Sequence, residues 1–196
     1  SFDSADDDDG DGKPDMRGIP EWVSYEMRRV SRKLKTSPKR PSPWITVPEL
    51  FKAGIAPSDA TYAFSKAFLK MNKNWYERGH LTAKVHAWRL GAAADWNTHT
   101  VLNAVPQRKA FNAGIWKDLE TRTAKWADKH GAVWVIVGPI FKNKRPTKTL
   151  GEEGEMKIAI PHSLFKIVIK HAQDADLPDV LVFVYAQECD DCASQK

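Results

Sequence analysis

The last third of the chain restricts the fold most. AVWVIVGPIF (132–141), MKIAIP (156–161), LFKIVIK (164–170) and VLVFVYAQ (180–187) follow one another as β-rich runs. Each is short enough to be a strand and dense in β-branched and aromatic residues. Such runs must pair with one another and cover one face. Just before them, PQRKAFNAGIWKDLETRTAKWADKHG (106–131) supplies the cover. Ile115, Leu119 and Trp126 recur at helical spacing, Asp118 and Glu120 balance Lys125 and Lys129, and Gly131 gives a stop. The expectation is an α+β fold, a mainly antiparallel sheet around one long helix.

Upstream the pattern is less regular. IPEWVSYEMRRV (19–30) has enough alternation for a strand, although Met27 and Val30 also permit a helix. KTSPKRPSPWITVPEL (35–50) carries four prolines and reads as an irregular loop. Residues 60–71 read as a short helix or packed loop. A length of 196 residues fits one domain, and 42% hydrophobic with 28% charged residues describes a folded chain. No apolar run approaches the ~18 residues of a membrane helix. No start methionine precedes a signal-like segment, so a mature or trimmed product is expected.

The formal charge of +5 conceals an asymmetry. Residues 1–15 hold seven aspartates against Lys13 alone, a net −6, so the remainder carries +11. A body this basic suits a polyanion, because Lys and Arg release counterions condensed on phosphates; a well-solvated basic surface is the plainer reading. Within the acidic segment, Asp7, Asp9, Asp11, Gly12 and Asp15 fit a DxDxDGxxD pattern. Alternating carboxylates before a glycine turn can wrap Ca2+ with oxygen ligands, and an acidic tail over residues 1–17 needs no ion at all. Residues 18–196 form the second expected unit. Cys189 and Cys192 make a CxxC near the C-terminus, half of a zinc site, a disulfide or a reduced pair.

Two further stretches carry the chemistry. NWYERGHLTAKV (74–85) places His80 behind Arg78 and Gly79, and DWNTHTVLNAVPQRKAFNAGIWKDLE (95–120) supplies Asn103, Pro106, Gln107, Asn112, Gly114, Trp116, Leu119 and Glu120 in order. This succession resembles the sugar-non-specific DNA/RNA endonucleases, the ββα-metal nucleases that include secreted bacterial nucleases and endonuclease G. Their signature runs RGH, N-x-x-P-Q, a metal-binding asparagine and W-x-x-L-E, and the resemblance extends from about residue 22 to about residue 185.

What the resemblance implies is a nuclease domain over 18–196, its metal ligand on the long helix. It would hydrolyse phosphodiester bonds of DNA and RNA with Mg2+, Mn2+ able to substitute, and leave 5′-phosphate ends. His80 is the implied general base, Asn112 the direct ligand of Mg2+, and Glu120 a holder of the ion's waters. Arg78 and Arg40 are implied phosphate-contacting groups, Asn103 a member of the catalytic set, and Gln107 a supporting amide. The residue types suit the reaction: a near-neutral histidine can take a proton from water, a hard cation prefers oxygen, and guanidinium binds two phosphate oxygens. A nuclease fold that holds nucleic acid without cutting it is the alternative.

Relatives usually carry aspartate where Glu77 stands, so shifted geometry is expected there. They also continue beyond the run ending near Tyr185, so either a short lineage or a cleaved or omitted C-terminal piece is expected. The partners are DNA and RNA through their phosphate backbone, with no membrane. Secretion or a periplasmic location is expected, because an unrestrained nuclease would attack its host. Trp22, Trp88, Trp96, Trp116, Trp126 and Trp134 read as core ahead of base-stacking, and His86, His99, His130, His162 and His171 have no metal-like spacing.

Overall fold

The computed structural model describes residues 7, 10, 12, 15, 17–30, 37–62, 76–142, 148–151, 153–170 and 177–187. Cys189 and Cys192 lie outside them, as do residues 63–75. Strands β1 (Val23–Arg28), β4 (Ala132–Ile140), β7 (Ser163–Lys170) and β8 (Asp179–Ala186) form one sheet in the order β1-β4-β7-β8. Every neighbouring pair in it is antiparallel. A second pair joins β2 (Tyr76–His80) to β3 (Ala104–Arg108), and β5 (Thr149–Leu150) pairs with β6 (Ile158–Ala159). The helices are α1 (Pro48–Lys52), α2 (Lys84–Ala87), α3 (Ala92–Asn97), α4 (Lys109–Phe111) and α5 (Lys117–His130). None of the described helices is long and apolar enough to cross a membrane.

The expected sheet and its covering helix are present. Period-two alternation turns Val133, Val135 and Val137 of β4 inward, where Val137 stands opposite Val23 on one side and Lys166 on the other. Leu119, Thr123 and Ala127 of α5 follow one another at four-residue intervals and are buried. The core lies between these two surfaces. Gly131 closes α5 at φ 92, a left-handed conformation that glycine adopts without a steric penalty.

Three expectations need correction. The run 106–131 is not one helix: Pro106, Gln107 and Arg108 belong to β3, and a wide π-type turn over Asn112–Trp116, with Gly114 at φ −103 and ψ −115, separates α4 from α5. The hydrophobic period of the segment says nothing about that turn, because it adds a residue locally without changing which residues are apolar. The tryptophans are not uniformly core. Trp116 is fully buried, but Trp22, Trp96 and Trp134 are exposed. The proline-rich loop ends earlier than expected, since Pro48 starts α1 at the position where its missing N–H costs no hydrogen bond.

The β2–β3 pair has its own packing requirement. Gly79 lies beside Gln107, whose fully buried side chain crosses over it, and a Cβ at position 79 would meet that side chain at 2.0–2.4 Å. The glycine of the RGH motif and the glutamine of the PQ motif are two halves of one contact. Gly79→Ala should therefore destabilise the protein by about 2–3 kcal/mol through overpacking, read as a Tm lowered by roughly 4–12 °C. Combining it with Gln107→Ala should recover more than about 1 kcal/mol relative to the sum of the two single changes. Simple additivity in that double-mutant cycle would refute the contact.

Candidate active site

Strand β2 forms the floor of a cavity of about 550 Å3. Glu77, Arg78 and His80 reach it from β2. One wall comes from α2, through Lys84, Val85 and Trp88; the other is Asn112 and Ala113 in the wide turn with Lys117, Glu120 and Thr121 on α5. Ser37 and Arg40 close it from the proline-rich loop. Arg40, Arg78, His80, Asn112 and Glu120, chosen from sequence, thus surround one space. Asn103 does not. Its Oδ1 accepts from the Thr82 amide and its Nδ2 donates to the carbonyls of Thr82 and Thr98, so it braces the chain just behind His80.

The two walls are tied together by a histidine to which the sequence assigned no role. His86 on α2 contacts the backbone carbonyl of Glu120 at 2.8 Å through Nε2 and the hydroxyl of Tyr25 at 2.7 Å through Nδ1. A carbonyl can only accept, so Nε2 carries the proton and Nδ1 accepts from Tyr25. Burial, then the Lys166 charge, lowers the His86 pKa to about 3, and the ring stays neutral as this geometry requires.

His80 is buried against Trp44 and His99, ring centroids 4.5 and 5.0 Å away. Burial pushes its pKa well below the ordinary value, with further lowering from His99, Arg40 and Lys84. The imidazole is neutral and able to accept a proton. His99 is held by a hydrogen bond from Nδ1 to the Asp95 carbonyl at 2.9 Å.

Asn112 donates its Nδ2 to Glu77 at 3.0 Å. The extra methylene of Glu77 therefore does not prevent its carboxylate from reaching the amide. With the nitrogen committed, Oδ1 is the end of Asn112 available to a cation. Glu120 is raised to about 7, by burial first, and Lys166, Arg40 and Lys117 oppose that rise. Among the described residues no group of three or more His, Cys, Asp or Glu side chains is placed to hold a metal ion. One amide oxygen and a nearby carboxylate fit a hard cation that keeps most of its waters.

Arg78 differs from expectation in one respect. Its guanidinium is paired with Asp59, with Nη2 to Oδ2 at 2.7 Å and Nε against Oδ1, and it lies over the rings of Trp44 and Tyr62. The two-pronged face suited to phosphate is thus held by a carboxylate, while Arg40 stands exposed at the cavity. Lys84 donates to the Pro38 carbonyl at 2.7 Å and lies 3.7 Å from Asp95, pinning the loop that carries Arg40. Lys166 of β7 is fully buried, its Nζ 4.5 Å from the centroid of Trp116, and burial lowers its pKa to about 8 while Glu120 raises it. Asp59, Lys84 and Lys166 had no signal in the sequence beyond their charge.

Of the aspartates read as a calcium loop, Asp9 and Asp11 lie outside the described residues. Asp7 accepts from the amides of Gly10 and Gly12, and Asp15 pairs with Arg17 at 2.8 Å.

Residues 12–191 match the family model described as DNA/RNA non-specific endonuclease. The chain is 28% identical over 159 residues to the mitochondrial nuclease EXOG of Danio rerio, covering 76% of this chain and 42% of that protein. It is 24% identical over 168 residues to the same nuclease of Xenopus laevis, covering 81% and 42%. To the mitochondrial endonuclease G of Caenorhabditis elegans it is 28% identical over 116 residues, covering 54% and 37%. The chain therefore spans less than half the length of these relatives. Its fold is shared with a chain of a crystal structure of an EndoG/EndoGI complex, at a TM-score of 0.70 and 18% identity over 88% of this chain and 68% of that one. The relatives' mitochondrial names overturn the secreted or periplasmic expectation. That expectation rested on the danger of a free nuclease, and a membrane-bounded organelle answers the danger equally well.

The raised pKa of Glu120 has a measurable consequence. A cation favours the ionised carboxylate, so binding below pH 7 must first displace its proton. Mg2+ or Mn2+ affinity, measured by calorimetry, should fall as the pH drops from 8 to 6. In Glu120→Gln the affinity should be weaker and nearly flat over the same range; an unchanged slope would remove Glu120 from the ion's surroundings.

Proposed function

This chain belongs to the DNA/RNA non-specific endonuclease family, and we propose that it is a Mg2+-dependent endonuclease cutting DNA and RNA with His80 as general base. The observation that carries this reading is the Asn112–Glu77 hydrogen bond beside a neutral, buried His80 in the same cavity. It leaves an amide oxygen for a cation and an imidazole lone pair for a proton within one space.

Asn112 would hold the ion through Oδ1, and Glu120 would hold its waters. When bound, the ion supplies Lewis-acid charge to the phosphate and to the departing 3′ oxygen. His80 takes the proton from the attacking water. The arriving phosphate, and the further negative charge of its transition state, stabilise the imidazolium that the surrounding cations otherwise disfavour. Arg40, on the exposed side of the cavity, meets the phosphate; Lys117 adds positive charge from the α5 wall. Arg78, braced by Asp59, acts mainly by fixing β2 and its field. Water attack on phosphorus with loss of the 3′ oxygen gives a 5′-phosphate and a 3′-hydroxyl. Contacts confined to phosphate carry no sequence information.

His80→Ala and Asn112→Ala should each reduce plasmid nicking by about 10²–10⁴-fold or more with unchanged circular dichroism, and EDTA should stop the wild-type protein. Binding of nucleic acid with no EDTA-sensitive cleavage would instead identify a nuclease fold that holds its ligand without cutting.

A further inference from the structure

The α2 wall has a composition that phosphate chemistry does not require. Lys84, Val85 and Trp88 all line the cavity. On a helix these three lie within about 100° of arc, with His86 roughly opposite. His86 is the residue bonded to the Glu120 carbonyl, so the helix is fixed in rotation with Val85 and Trp88 turned to the cavity. Val85 is 45% exposed, and Trp88 is partly exposed. Across from this apolar strip stand Asn112 and Glu120, and around it stand Arg40, Lys84 and Lys117. A phosphate gains nothing from an indole and a valine. The part of a nucleotide that does is its base, and about 550 Å3 leaves room for one beside the phosphate.

We infer that Trp88 and Val85 form a platform for one unstacked nucleobase next to the scissile phosphate, making single-stranded nucleic acid the preferred substrate. The inference rests on the nuclease reading above for the identity of its ligand. In a duplex both faces of every base are covered by neighbours, so a base can reach the platform only from a single strand or after local opening. Stacking on an aromatic side chain tolerates any base, because each has a π-face.

Binding without turnover separates this from the catalytic assignment. Fluorescence anisotropy in EDTA would use a labelled 12-nucleotide single strand and the 12-base-pair duplex of the same sequence. Wild-type protein should bind the single strand more tightly. Trp88→Leu, which keeps an apolar side chain without the ring, should weaken single-strand binding by roughly 10-fold or more and duplex binding by less than about twofold. Trp88→Phe should restore the single strand to within about threefold of wild type. Val85→Ser, at a half-exposed position the core does not need, should show a smaller loss of about threefold with the same selectivity. Equal losses on both ligands, no loss on either, or a wild-type preference for the duplex would each overturn the platform. Selective binding without cleavage in Mg2+ would sink the nuclease assignment and leave the platform standing; cleavage with no Trp88 selectivity would do the reverse.

Discussion

A single hydrogen bond, from the Asn112 amide nitrogen to Glu77, determines which end of that side chain is left to the cavity. An asparagine side chain presents a carbonyl oxygen or an amino group depending on a rotation about its last bond, and only the oxygen attracts a cation. Glu77 chooses the rotamer. It can do so because its strand is held in register by β3, Glu77 opposite Gln107, and because the wide turn at Asn112–Trp116 brings the amide to the strand. A regular helix through that segment would place residue 120 about 80° round and ~12 Å along from residue 112. With Gly114 out of helical geometry, the two side chains reach the same cavity by a different route.

Positive charge is concentrated in and behind this site. Arg40, Lys84 and Lys117 line the cavity, and Lys166 lies buried behind Trp116. They lower His80 or oppose the rise of Glu120, acting on both in the direction that favours negative charge nearby. A buried ammonium on a central strand is costly unless its field is used. Here it faces the carboxylate that burial would otherwise keep protonated. Burial first, and then the neighbouring positive groups, lower the His80 pKa in the free protein.

The residues whose chemistry is intrinsic were legible in the sequence. A histidine beside RG, an asparagine after PQ and a glutamate in WxxLE declare themselves by type and order, and the β-rich runs declared the sheet. Residues whose role comes from a meeting across the fold were not. Lys166 reads as a strand's outward lysine until the Trp116 ring of the wide turn packs against it. Asp59 comes to Arg78 from nineteen residues upstream, and His86 acquires a partner only when α2 meets α5 and β1. Asn103 was legible as important but not in what way: an amide that bonds the backbone and one that faces substrate have the same spacing.

The physical division between the walls bears on selectivity. Reading a base edge requires donors and acceptors placed in pairs, and Val85 provides none. The polar groups of the opposite wall are engaged within the fold: Asn112 donates to Glu77, and the carbonyl of Glu120 accepts from His86. Because that last bond joins α2 to α5, the separation of the walls and the position of the Glu120 backbone are not independent. A change that loosened His86 would shift the apolar wall and the Glu120 backbone together.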